Sequence, residues 1–141
     1  MKIAYIIQKF PKLSETFIAR EVHNLTSKGF DIEIFSIASA TQEEIRKLNS
    51  DTRKLLQRCT YIKRTDTMKH IILTLFNNKA QKAANKICRA ATRKIKKYAL
   101  VARAVQLSKL FKKKGITHIH AHWPYSSILA YIINKMTGNL I

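Results

Sequence analysis

The run Ile3-Ala4-Tyr5-Ile6-Ile7 is almost continuously apolar, β-branched or aromatic apart from Ala4, and bounded by polar residues and Pro11. This pattern predicts a strand buried on both faces, which favours a parallel sheet. Ser14 then stands as an N-cap, with Glu15 in the first turn where a carboxylate complements the helix dipole. Ile18, Val22 and Leu25 recur at i, i+4 and i+7, so a helix is expected to about Lys28, stopped by Gly29. Ile32, Ile34, Phe35 and Ile37 predict the next strand and complete a βαβ unit.

Farther along, the polar stretch from Ser39 to Gln57 reads as a loop plus a short helix with Ile45 and Leu48 on one side. Thr60-Tyr61-Ile62 reads as a short third strand, and Met68 to Phe76 as an apolar-rich helix broken at Asn77-Asn78. The longest helical pattern runs from Lys79 to Lys114. Its apolar stripe includes Ala84, Ile87, Ala91, Ile95, Tyr98, Ala102 and Val105, and Lys82, Lys86, Arg89, Arg93 and Lys96 form an opposing basic face. Thr117 to Ala121 is expected as a strand, His122 to Tyr125 as a turn containing Pro124, and Ser126 to Met136 as a helix. Leu140-Ile141 read as the start of a further strand, so the fold is expected to be incomplete at its C-terminus. Strands alternating with helices imply an α/β class: a Rossmann-like, doubly wound, mostly parallel sheet whose ligands sit beyond the carboxyl ends of its strands.

Composition adds scale. The chain has 141 residues, 46% of them hydrophobic, enough for one globular domain that buries roughly 70% of its unfolded surface. Cys59 and Cys88 form no Cys-x-x-Cys pair, which argues against a disulfide framework or thiolate zinc site and suits a reducing cytosol. No apolar run approaches the ~18 residues of a spanning helix, so membrane contact is expected to be peripheral. The net charge of +19 is local: Arg53 to Lys114 holds 19 basic residues and one acid, Asp66. Such a tract attracts nucleic acid, anionic membrane or phosphorylated ligands. A nucleic-acid-binding module is the competing functional class, disfavoured by core-like aromatic positions and by the lack of a helix-turn-helix, zinc-finger or RNA-recognition motif.

Two loops fall where an open α/β sheet binds ligands. In the first, Gln8 to Thr16 leads into a helix N-terminus able to hold a phosphate or a sugar hydroxyl with help from Lys9 and Lys12, or Ser14 simply caps the helix and Pro11 stiffens the turn. The absence of Gly-x-Gly-x-x-Gly argues against a nicotinamide or flavin dinucleotide, and no cofactor is expected. In the second, His118, His120 and His122 alternate along one strand face ahead of Trp123, Pro124 and Tyr125. The sequence beside them offers no acid or cysteine, and a pleated strand spreads His118 and His122 over nearly 14 Å. No metal is therefore expected there, and His122 is expected to open toward the cleft, where Trp123 and Tyr125 either form a stacking surface for a sugar or simply wall the core.

The segment Phe10-Pro11-Lys12-Leu13-Ser14-Glu15-Thr16-Phe17-Ile18, followed by Glu21, Leu25 and Gly29, resembles the opening of bacterial family-4 glycosyltransferases that build colanic acid, lipopolysaccharide and other exopolysaccharides. His118-Ile119-His120-Ala121-His122-Trp123 resembles their fourth-strand signature, in the same order along the chain. The resemblance implies a GT-B enzyme. Its N-terminal Rossmann-like domain takes a lipid-linked or saccharide acceptor, its C-terminal domain takes a nucleotide-sugar, and transfer is retaining and needs no metal. By position, Phe10, Pro11, Lys12, Ser14, Glu15 and Thr16 would face the cleft and His122 and Trp123 its rim, in binding roles rather than proton transfer. The family's catalytic histidine and donor-holding glutamates lie beyond the segments matched here, so no catalytic residue is assigned. These 141 residues are expected to be an acceptor-side domain, inactive alone or completed by a separate donor-binding partner. The basic face of Lys82, Lys86, Arg89, Arg93 and Lys96 is either an ordinary solvated face or a contact for the cytoplasmic leaflet, at about 1 kcal/mol per residue near an anionic surface.

Overall fold

The structure, a computed structural model, describes residues 1–62, 78, 82, 85 and 94–138, with residues 94–98 described by their backbone. Four strands form one sheet: β1 (Lys2–Phe10), β2 (Asp31–Ser39), β3 (Cys59–Tyr61) and β4 (His118–Ala121). Their order is β3-β2-β1-β4, and every described pairing is parallel. Helix α1 (Thr16–Ser27) connects β1 to β2, and α2 (Gln42–Arg46) and α3 (Ser50–Leu55) lie between β2 and β3. Helix α4 (Lys94–Lys114) leads into β4, and α5 (Trp123–Thr137) follows it. The result is the expected Rossmann-like α/β class.

Side-chain alternation along β1 builds two cores. Tyr5 and Ile7 pack with Ile32 and Ile34 of β2 against Ile18, Ala19 and Val22 of α1 and Leu55 of α3. Ala4 and Ile6 pack with Phe35 on the opposite face against α4 and α5, through residues including Leu107, Phe111, Leu129 and Ile133. Phe35 and Phe111 meet edge to face at 4.8 Å between ring centroids, a favoured aromatic geometry. Helices therefore cover both faces, which is why β1 needs a nearly unbroken apolar sequence.

The helix ends follow local chemistry. Gly29 (φ +88) accepts the left-handed conformation of a Schellman stop on α1, with Gly29 N–H on Thr26 O at 3.0 Å and Phe30 N–H on Leu25 O at 3.1 Å. In the expected loop after β2, two capped helices form instead of one. Thr41 and Glu44 make a reciprocal capping box on α2, and Asn49 Oδ1 accepts from Thr52 N–H at 2.8 Å to start α3. Asn78, expected in a break, is helical; asparagine costs a helix interior well under about 1 kcal/mol. The expected turn from His122 to Tyr125 is largely first-turn helix, with Pro124 where its missing N–H costs no intrahelical bond. The expected helix from Met68 to Phe76 and the strand beginning at Leu140 lie outside the described residues.

Two polar devices tie the sheet together. Ser36 is fully buried; its Oγ accepts from Phe10 N–H at 2.8 Å and donates to Ala38 O at 2.6 Å. At the opposite end of the strands, Glu33 lies 2.8 Å from Lys2 Nζ and 2.6 Å from Lys114 Nζ. Partial burial alone pushes the Glu33 carboxyl upward, but the hydrogen bonds and charges of Lys114 and Lys2 outweigh it and hold the group below its ordinary value of 4.5.

Replacing Ser36 by Ala leaves the Phe10 amide without its partner, and chemical denaturation should show a loss of about 1–3 kcal/mol. The Glu33 contribution is fully present above the unfolded carboxyl value and is lost as pH falls through the lower folded value. Glu33→Gln should therefore flatten the acid side of the stability profile below about pH 4.5, measured by melting across a pH series.

Candidate functional site

From β1 the chain steps outward through β2 to β3, then returns to place β4 on the other edge of β1. The strand order thus reverses between β1 and β4, and an open α/β sheet leaves a crevice at the carboxyl ends of two such strands. A cleft of about 630 Å³ lies there, lined by Gln8, Lys9, Lys12, Glu15, Ala38, Trp123 and Pro124. Residues of both loops singled out from the sequence meet in it.

The cleft is nearly charge-balanced. Lys9 Nζ is 2.6 Å from Glu44 Oε1, and Lys12 Nζ is bonded to Glu15 Oε1. The hydrogen bond from Lys9, the Thr41 backbone N–H and further local contacts hold the Glu44 carboxyl down at about 2, so it stays ionised. Ser14 does not cap α1: a 3-10 turn spans Leu13–Glu15, the cap position belongs to Glu15, and neither side chain makes a capping bond. The turn intervenes because Glu15 N–H bonds Lys12 O at 2.9 Å. A carboxylate therefore stands at the helix N-terminus that the sequence offered to a phosphate or a sugar hydroxyl. Pairs of amine and carboxylate beside an exposed indole suit sugar hydroxyls, which both donate and accept, better than an anion.

The other predicted binding residues divide by position. Phe10 and Pro11 are buried, and Phe10 belongs to the core on the α1 side. With Thr16 they border a smaller recess of about 140 Å³ next to Lys47 and Asn49. Ser14 is exposed and lines neither space. Trp123 lines the cleft, is 49% exposed and holds a left-handed backbone at φ +74. This is a costly conformation for a non-glycine residue and one found at functional turns. Tyr125 does not complete an aromatic surface with it, because its hydroxyl accepts from Arg103 of α4.

His122 does not open toward the cleft. Its side chain is 17% exposed against 46% for His120, and its extended backbone continues the alternation of β4 toward α1. There the pleat sets Tyr5, His120 and His122 side by side, with His120 stacked on Tyr5 at 4.5 Å and the two imidazoles 4.6 Å apart. Glu21 of α1 reaches this corner, 3.5 Å from His122 Nε2 and 3.8 Å from His120 Nε2, and accepts a 2.8 Å hydrogen bond from Tyr5 Oη. The acid absent from the neighbouring sequence is thus supplied by the fold. Burial, then the His120 charge, lower the His122 pKa against the opposing pull of Glu21 and Glu15, favouring the neutral imidazole at neutral pH. His118 stands apart, its Nδ1 3.0 Å from Thr117 Oγ1.

Sequence reasoning assigned no role to Glu21 or Tyr5. A signal existed in Glu21, an acid between Ile18 and Val22 of the buried helical stripe, but its partner strand is remote in the chain. Of the predicted basic face, Lys82 is helical and exposed and Lys96 lies on α4; Lys86, Arg89 and Arg93 lie outside the described residues.

Trp123→Ala and Trp123→Gly both remove the indole, but only alanine retains the penalty at φ +74. The glycine variant should be the more stable of the two by about 1 kcal/mol, measured by parallel urea titrations. Comparison of the chain with protein-family models, curated proteins and solved structures finds no match.

Proposed function

We propose that this chain is the acceptor-side Rossmann-like domain of a GT-B glycosyltransferase of bacterial cell-surface polysaccharide synthesis. The observation that carries the reading is that the two segments resembling family-4 glycosyltransferases, remote in sequence, contribute Lys12, Glu15 and Trp123 to one cleft at the strand-order reversal. In this reading Trp123 stacks on a sugar face, and Lys12, Glu15, Lys9 and Gln8 exchange hydrogen bonds with its hydroxyls. The nucleotide-sugar is a substrate held mainly by the donor-binding domain, no cofactor takes part, and no residue of this chain is assigned a proton-transfer role.

A lipid-linked acceptor places the domain at a membrane surface. Among the described residues no helix is long and apolar enough to cross a membrane. Exposed Lys109, Lys112 and Lys113 on α4, with Lys82, offer a peripheral contact to anionic lipid. The basic charge also supports nucleic-acid binding, and the test separates the two.

Trp123 is the sole tryptophan, so its emission reports directly on the cleft. Titration with oligosaccharides containing glucose, galactose or N-acetylglucosamine, free and on anionic vesicles, should shift that emission. Lys12→Ala should weaken the response about tenfold. Nucleotide-sugar turnover by the 141-residue chain alone would overturn the acceptor-side assignment. DNA binding that persists at physiological salt, with no response to saccharides or vesicles, would replace it with the nucleic-acid reading.

A further inference from the structure

We propose that Glu21, His120 and His122 form a three-ligand site for a divalent transition-metal ion, zinc by preference, with a fourth position open to water or a ligand oxygen. Among the described residues these three offer one ligand atom each, all within 4.8 Å of one another. A tetrahedral zinc ion with bonds of about 2.0–2.1 Å holds its ligand atoms about 3.3 Å apart. The carboxylate-to-imidazole separations of 3.5 and 3.8 Å are therefore too long for good hydrogen bonds but within a small rotamer adjustment of that geometry.

Two further features fit an ion better than a bare ion pair. His122 Nε2 is buried and has no hydrogen-bond partner among the described residues, although Glu21 is only 3.5 Å away. A buried nitrogen without a partner is costly, and coordination satisfies its lone pair. Tyr5 Oη donates to Glu21 at 2.8 Å from a side chain 2% exposed, fixing the carboxylate as an outer-shell partner of a metal ligand does.

Two imidazoles and one carboxylate form a donor set suited to zinc, with calcium and magnesium disfavoured by the nitrogens. The arrangement leaves a coordination position on the His120 side, where exposure is greatest. The ion would join the end of β4 to α1 behind Trp123, and it is independent of what the cleft binds.

The test uses the full chain, stripped with a chelator and titrated with zinc against a chromophoric competitor. One high-affinity ion per chain is expected, and cobalt in its place should give the visible absorption of four-coordinate nitrogen and oxygen ligation. Glu21→Gln and His120→Ala should each weaken zinc at least tenfold, Tyr5→Phe about 10–100-fold, and His118→Ala should leave it unchanged. Glu21 and His120 are partly exposed, so circular dichroism should report native folding for those variants. Failure of the folded wild type to compete for zinc would overturn the site. So would full stoichiometry and affinity in Glu21→Gln combined with His120→Ala, which would place the ion elsewhere.

Discussion

Parallel pairing of β1 along both edges is the constraint on which the rest of the molecule depends. Ile3 faces Ile32 on one side and His118 on the other, and Ile6 faces Phe35 and Ala121. Ala4, Tyr5, Ile6 and Ile7 are at most 2% exposed, because α1 covers one face and α4 and α5 the other. A strand so placed cannot shift by one residue without sending Tyr5 and Ile7 into the wrong core. The same double pairing creates the reversal of strand order, and the reversal creates the cleft.

Fixing β1 also fixes what stands on either side of Trp123. In front of the indole lies an open cleft whose lysines already have carboxylate partners. Behind it lies a partly buried corner in which Tyr5, Glu21 and two histidines face one another. Trp123, with a left-handed backbone at φ +74, joins His122 of that corner to Pro124 of the cleft lining. That conformation is a local cost held in place by the paired end of β4 and the start of α5.

The same economy of acids shapes the surface. Each described Asp and Glu side chain lies within ion-pair distance of a basic group, from Glu33 between Lys2 and Lys114 to Asp51 beside Lys54. Exposed pairs of this kind contribute little to stability, about 0–1 kcal/mol each. Their consequence is that the excess charge resides in basic groups without acidic partners, available to an anionic surface. Where hydrogen bonds reinforce the pair, as at Glu33 and Glu44, the carboxyl is also held below its ordinary value.

The order of strands and helices was legible from apolar periodicity and glycine stops, because those signals act within a few residues. Ile3 to Ile7 already required burial on both faces, and the alternation of His120 and His122 already placed those two side by side. The two loops at the cleft were likewise legible, since the carboxyl ends of parallel strands form one edge. What each loop residue faces was not. Phe10 went into a core, Glu15 displaced Ser14 from the helix cap, and His122 faces Glu21 rather than the cleft. Only tertiary structure decided that Glu21 meets the histidines, because the pairing of β1 with β4 and the packing of α1 over them join segments remote in the chain.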